Sequence, residues 1–243
     1  MAEIRENTGI LAAAERRALV WMAGRMPRVV NSDHLTALAA AGMLVTGAGF
    51  WLGGHVPSAV WLVIAGLAIN WFGDSLDGTL ARVRNQQRPR YGYYVDHVLD
   101  SAGMLVLFSG MALGGYLTPI VALATLVAYY FLSIEVYLAT HALGTFRMAF
   151  WKIGPTELRI VIGVAALAVS FLRPHVVLFG MSLRPFDAGA IVGAAGLLLT
   201  AVRSAMANTR ALYEAEPLPP QDGSAFSGPS LSSYNCVDDC RSR

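Results

Sequence analysis

Asp74-Ser75-Leu76-Asp77-Gly78-Thr79-Leu80-Ala81-Arg82 and, after nine intervening residues, Gly92-Tyr93-Tyr94-Val95-Asp96-His97-Val98-Leu99-Asp100 place four carboxylates within a 27-residue stretch. From His34 to Ile134 they are the only acidic side chains. Asp74 and Asp77 fall at i, i+3 near the end of one apolar run, and Asp96 and Asp100 at i, i+4 near the start of the next. On helices each pair shares a face. A short Arg-rich break at 82–91 joins the two runs as antiparallel neighbours, so all four carboxylates can converge at one depth.

The rest of the chain is that of a membrane protein. Of 243 residues, 55% are apolar and 14% charged, the net charge is +2, and mean hydropathy is +0.51. Soluble domains carry about 25% charged residues and disordered chains are much less apolar, which excludes both classes. The small net charge argues against nucleic acid as a partner. Crossing about 30 Å of hydrocarbon takes about 20 mostly apolar residues, and six such runs occur, at 34–53, 59–82, 93–114, 118–140, 157–172 and 186–208. Asn31-Ser32-Asp33 offers a helix cap before the first. Gly-Gly-His-Val-Pro at 53–57, Gly-Gly-Tyr-Leu-Thr-Pro at 114–119, Gly154-Pro155 and the segment from Arg173-Pro174 to Pro185 supply further breaks. The predicted fold is an all-α integral membrane bundle of six transmembrane helices with an N-terminal cytoplasmic amphipathic helix.

Basic residues report the topology. With the N-terminus in the cytoplasm, 16 of the 18 Lys and Arg residues fall on the inside, leaving Arg173 and Arg184 on the other face. That asymmetry satisfies the positive-inside rule and predicts a multi-pass protein of the cytoplasmic membrane with both termini and the aspartates on the cytoplasmic side. Residues 1–30 form a cytoplasmic amphipathic segment without the apolar core of a signal peptide. Its stretch 11–27 either lies in the interface, with Leu11, Leu19, Trp21 and Met22 in lipid, or packs on the bundle's cytoplasmic face. Residues 31–212 make up the six-span domain, and 213–243 read as a disordered cytoplasmic tail rich in Pro, Ser and Gly. Cys236 and Cys240 both lie in that tail, so no disulfide framework is expected, and a metal role for them has no neighbouring His to support it.

A charged side chain at the bilayer centre costs on the order of 3 kcal/mol on insertion scales, so four carboxylates need a cationic partner. Arg82 alone does not neutralise them. Clustered hard oxygens select Mg²⁺ or Mn²⁺, and two divalent ions balance the formal charge, which points to phosphate chemistry at the membrane surface. Gly78 and Ala81 leave bare backbone where a flat ligand can lie close, and Arg82 meets a phosphate with a planar fork. Taken alone, Gly78 and Ala81 read better as a helix-packing notch; next to four aspartates they read as the ligand-facing stripe. A cation transporter is a distant alternative, but transport sites usually lie near the midplane on broken helices.

Written as a pattern, Asp74-x2-Asp77-Gly78-x2-Ala81-Arg82-x9-Gly92-x3-Asp96-x3-Asp100 resembles the signature of the CDP-alcohol phosphotransferase family, integral membrane enzymes of phospholipid synthesis. The resemblance covers about residues 11–210 and implies a two-metal centre of Mg²⁺ or Mn²⁺ held by Asp74, Asp77 and Asp96, with Asp100 at its edge as general base. It implies a nucleotide site lined by Gly78, Ala81 and Arg82, together with Asp74 and with Gly92 at the head of the third span. Where the family often has a Pro-Asn-x-Leu-Thr-like run, this chain has Ser32-Asp33-His34-Leu35-Thr36, which lacks the proline and asparagine and leaves Thr36 as the nucleotide-site candidate. The partners implied are a CDP-linked lipid donor, a small alcohol or polyol phosphate acceptor, membrane lipids and a second copy of the chain in a homodimer. The Gly193-Ala194-Ala195-Gly196 stripe fits that dimer or internal packing equally.

The acceptor side carries fewer signals. Glu135, Arg147, Lys152 and Arg159 gather at the cytoplasmic ends of the fourth and fifth spans. Glu135, Arg147 and Arg159 are acceptor-site candidates, the basic pair for an anionic headgroup; as ordinary positive-inside anchors Arg147 and Lys152 need no such role. Glu135 is read as a partner of Arg159 or of a headgroup hydroxyl, and His97 as packing. Gly154-Pro155-Thr156-Glu157 resembles a run in the choline and ethanolamine phosphotransferases. Two directions therefore stand open: CDP-diacylglycerol with a small alcohol, or a CDP-headgroup with a lipid alcohol.

Overall fold

The computed structural model describes residues 12–143, 155–172, 176–178, 181–216 and 218. Its elements run α1 (Ala12–Arg25), α2 (Ser32–Gly53), a 3-10 turn (Pro57–Ala59), α3 (Val60–Val83), α4 (Pro89–Leu113), α5 (Pro119–Leu143), α6 (Pro155–Leu172), β1 (Val176–Leu178), β2 (Met181–Leu183) and α7 (Asp187–Ala215). Among the described residues, five helical segments are long and apolar enough to cross a membrane, Ser32–Gly53, Pro57–Val83, Pro89–Leu113, Pro119–Leu143 and Asp187–Ala215. With 18 residues, α6 stands at the short end of the range for a span.

Sequence chemistry fixes the ends of the helices that carry the aspartates. Asn31 caps α2 through a capping box, its side chain accepting from the His34 N–H at 3.0 Å. Asn85, with φ 54°, closes α3. The Gln86 N–H bonds the Ala81 carbonyl and the Asn85 N–H bonds that of Arg82, the paired bonds of a Schellman motif. Pro89 then occupies the first turn of α4, where its missing N–H costs nothing. The turn between Arg82 and Pro89 is thus short and internally bonded, and the α4 that follows it packs along α2 rather than α3, so the expected antiparallel pairing of the two aspartate-bearing helices is corrected.

Close backbone approach holds α2 against its neighbours. A Cβ on Gly66 of α3 would lie 2.7 Å from the Gly42 carbonyl oxygen of α2 and 2.6 Å from the Thr46 nitrogen, and one on Gly42 would meet the Asn70 nitrogen at 2.5 Å. These neighbours are backbone atoms that cannot swing aside. Gly66→Val is therefore expected to cost at least about 1–3 kcal/mol through overpacking, read as a lower melting temperature in detergent. Beyond this contact lies an apolar core of Phe50, Val60, Val63, Leu107, Met111 and Leu117, at the end of the bundle away from the aspartates. At that end Arg184 donates to the Leu117 carbonyl at 2.7 Å, while Asp187 accepts from the Thr118 N–H and hydroxyl, each at 2.7 Å. One of the two basic residues outside the positive-inside pattern thus serves as a helix-end donor.

Between α6 and α7, β1 and β2 pair antiparallel, Val176 with Leu183 and Leu178 with Met181, because two short apolar runs close in sequence can satisfy each other's backbone groups. Helix α7 runs through Ala215, past the start at 213 read for the tail, and its exposed last turns are bridged by Arg210 and Glu214 at 2.8 Å, an i, i+4 pair. Of the two alternatives for α1, packing on the bundle is the one observed. Leu19 and Ala23 are buried against Leu35, Leu76 and Leu80 of α2 and α3, while Trp21 is 59% exposed. Leu11, the cysteine-bearing end of the tail, Arg147 and Lys152 lie outside the described residues.

Candidate active site

Three of the four aspartates meet. Asp74 of α3 and Asp96 and Asp100 of α4 each present an oxygen within 4.8 Å of the other two. Asp74 and Asp96 are half-buried and Asp100 is exposed. Oxygen ligands of Mg²⁺ sit at about 2.0–2.1 Å from the ion, and paired catalytic ions lie about 3.5–4 Å apart, so three carboxylate oxygens this close fit shared divalent cations. The donor set is all hard oxygen, which suits Mg²⁺ or Mn²⁺.

Asp77 is not in this trio. Its Oδ2 accepts from the Thr36 hydroxyl at 2.6 Å, its Oδ1 accepts from the Gly78 N–H, and its carbonyl accepts from Ser32 at 3.1 Å. It stays within electrostatic range of Asp74 and Asp96. Thr36 is thereby joined to the aspartates through Asp77, across the α2–α3 contact.

Arg159 of α6 completes the group. Its Nη2 donates to Asp74 Oδ2 at 2.6 Å and its Nε to Asn70 Oδ1 at 2.8 Å. Asn70 is buried one turn before Asp74 and donates to the Ala39 carbonyl at 3.1 Å. Sequence reading passed over Asn70, although an amide at i−4 from Asp74 within an apolar run was the available signal. The expected pairing of Glu135 with Arg159 is corrected. Glu135 Oε1 accepts from Asn208 of α7 at 2.7 Å, because α5 packs on α7 whereas α6 packs on α3. Glu135 is not brought to the trio. His97, read as packing, has its ring against Tyr93 and Tyr137, with centroids at 4.0 and 4.9 Å, and its Nδ1 lies 4.0 Å from Asp96 Oδ2.

The glycines of the motif face open space. A Cβ on Gly78 would meet nothing nearer than the Arg82 guanidinium at 3.5 Å, and one on Gly92 would meet nothing within 4 Å. The helix-packing notch is therefore not what Gly78 provides among the described residues. Arg82 is exposed and its Nη2 donates to Thr79 at 3.1 Å. Beside Ala81 lies a cleft of about 400 Å³, lined also by Asn31, Ser32, Asp33, Gln86 and Arg88. Asp33 pairs there with Arg88, whose guanidinium stacks on Tyr91 at 4.2 Å.

Half-buried Asp74 and Asp96 and exposed Asp100 thus stand together at the ends of two long apolar helices, beside Arg159 and an open glycine face. The family model for CDP-alcohol phosphatidyltransferase matches residues 30–206, and the chain belongs to that family. Among solved structures it is similar in fold to the phosphatidylinositol phosphate synthase PgsA1 of Mycobacterium tuberculosis with CDP-DAG bound, at 20% identity and TM-score 0.50, over 81% of this chain and 92% of that one. The same enzyme in complex with manganese and citrate matches at 20% identity and TM-score 0.50, over 80% and 87% of the two chains. No functionally curated protein matches the sequence significantly. Family membership makes the chain a phosphotransferase and removes the transporter alternative.

Proposed function

We propose that the chain transfers the substituted phosphate of CDP-diacylglycerol to the hydroxyl of a small alcohol or polyol phosphate, releasing CMP. The observation that carries this reading is the meeting of Asp74, Asp96 and Asp100 beside Arg159. In the step, the acceptor oxygen bonds to the phosphorus that bears the diacylglycerol, the bond from that phosphorus to the bridging oxygen breaks, and the acceptor proton passes to the protein. Two Mg²⁺ or Mn²⁺ ions, when bound, supply charge neutralisation at the pyrophosphate and align the attack. Asp74, Asp77 and Asp96 are the residues assigned to hold them. Asp77 keeps its orientation through Thr36. Asp100, exposed at the edge of the trio, takes the proton.

Gly78, Ala81 and Arg82 bind the nucleotide, with Gly92 allowing close approach, and the cleft beside Ala81 has room for a flat base. Gly78→Val separates ligand approach from packing. Because its Cβ meets no neighbouring helix, the expected result is an unchanged melting temperature with donor affinity reduced by about tenfold or more, roughly 1.4 kcal/mol, measured by CDP-diacylglycerol titration. Arg159 receives the acceptor's anionic group at the centre; Glu135, bonded to α7, has no part in this reading. The cytoplasmic position of the site and of both termini rests on the positive-inside count. A homodimer belongs to the same proposal. The Gly189, Gly193 and Gly196 face of α7, where an added methyl would meet no described atom, is the small-residue surface available to it.

Purified protein with Mg²⁺ or Mn²⁺ is expected to release CMP from CDP-diacylglycerol in the presence of one member of a panel of alcohols and polyol phosphates. Release only from CDP-choline or CDP-ethanolamine with diacylglycerol would reverse the direction of assembly. No release from any CDP-alcohol would remove the proposal.

A further inference from the structure

Glu15 lies in α1, outside the family motif, yet it reaches into the bundle. Its Oε1 accepts from three donors, the Trp71 indole N–H at 2.7 Å, the Thr156 hydroxyl at 2.8 Å and the Ser75 hydroxyl at 3.4 Å. Trp71 and Ser75 flank Asp74 on α3, three residues before it and one after. Thr156 stands in the first turn of α6, three residues before Arg159 and so on nearly the same helix face. One carboxylate oxygen therefore closes a polar ring. It runs from Glu15 to Thr156, along α6 to Arg159, across to Asp74, and back along α3 to Ser75 and Trp71.

Docking of α1 does not require this ring. Leu19 and Ala23 already seat α1 on α2 and α3. Toward the other end of α6, Gly163 faces Ile64 and Leu67, where an added Cβ would find 3.3 and 3.6 Å. Smooth apolar contact of that kind fixes the distance between α6 and α3 but only weakly their register. The Arg159 guanidinium, which bonds Asp74 and Asn70 at once, demands register, because a shift of about 1 Å lengthens both bonds beyond the usual range.

We propose that Glu15 is a positioning residue that acts through Thr156, setting the register of α6 on α3 so that Arg159 meets Asp74. The inference rests on the reading of Asp74 and Arg159 as parts of the reaction centre, and its test has one arm that needs no turnover. In the full-length protein, melting temperatures of wild type, Arg159→Met, Asp74→Asn and the double variant form a cycle. The expected non-additivity is a few degrees. In a Glu15→Ala background that non-additivity is expected to vanish, and in a Glu15→Gln background, where an amide oxygen still accepts from Trp71 and Thr156, it is expected to persist.

Turnover is the second arm. Glu15→Ala is expected to lower kcat for CMP release by about tenfold with the KM for CDP-diacylglycerol within about twofold, and Glu15→Gln to restore most of it, consistent with the cost of misplacing a group distant from the chemistry. Thr156→Val removes the same link without touching α1, so it gives the result if Glu15→Ala does not fold. An Arg159–Asp74 coupling that survives both Glu15→Ala and Thr156→Val would overturn the positioning role. Intact coupling behaviour with no CMP release by the wild type would instead strike the reaction assigned above and leave the register claim standing.

Discussion

Asp100→Asn is expected to reduce CMP release by about 10²–10⁴-fold, the range for loss of a positioned general base, while CDP-diacylglycerol still binds within about tenfold of wild type, a difference of less than roughly 1.4 kcal/mol. An acceptor hydroxyl has a pKa far above neutrality and needs a base as it attacks. Among the three converged carboxylates Asp100 is the exposed one, so its oxygens are the most open to an incoming alcohol, whereas Asp74 is held by Arg159. Asparagine preserves size and one acceptor oxygen but cannot take a proton. Single-turnover CMP release together with equilibrium donor binding separates the two effects. Donor affinity lost by more than tenfold would mean that Asp100 serves the metal site rather than the proton.

Asp96→Asn is expected to act the other way, through the ions. Its half-buried carboxylate faces Asp74 and Asp100 with ligand oxygens within 4.8 Å, and replacing one charged ligand by a neutral amide weakens a divalent site held by few protein groups. Activity should fall by about 100-fold or more at low Mn²⁺, in line with the 10–100-fold cost of perturbing even the groups that support metal ligands, and should recover partly as Mn²⁺ is raised. Mn²⁺ titration followed by electron paramagnetic resonance reads the affinity directly. Chelation of divalent ions in the wild type should give the same loss, reversed by adding Mg²⁺ or Mn²⁺. Unchanged Mn²⁺ affinity in Asp96→Asn would remove Asp96 from the metal site.

The features that local chemistry dictates were legible in advance. Apolar run length located the helices, and the i, i+4 spacing put Asp96 and Asp100 on one face. Asp74 meets them, although α4 packs along α2 rather than α3. Asp77 turns instead to Thr36, because α2 crosses α3 close enough at its glycines for a threonine hydroxyl to reach it. What the sequence did not reveal depends on which helices are neighbours. Glu15 and Thr156 are 141 positions apart and meet only because α1 and α6 both lie on α3. Glu135 and Arg159 looked like partners at similar depth, yet α5 seats on α7, where Asn208 takes the carboxylate. Neither periodicity nor charge count carries that information.

Helix α7 is longer than its task of crossing requires. Its 29 residues rise about 1.5 Å each, close to 43 Å in all, against about 30 Å of hydrocarbon. On a placement that starts at one hydrocarbon edge at Asp187, Arg203 falls about 6 Å short of the other edge, Arg210 about 5 Å and Glu214 about 10 Å beyond it, and the last residue roughly 13 Å beyond it. Glu216, where the helix stops, is on that placement carried past the roughly 5–8 Å of headgroup layer that flanks the hydrocarbon on each side.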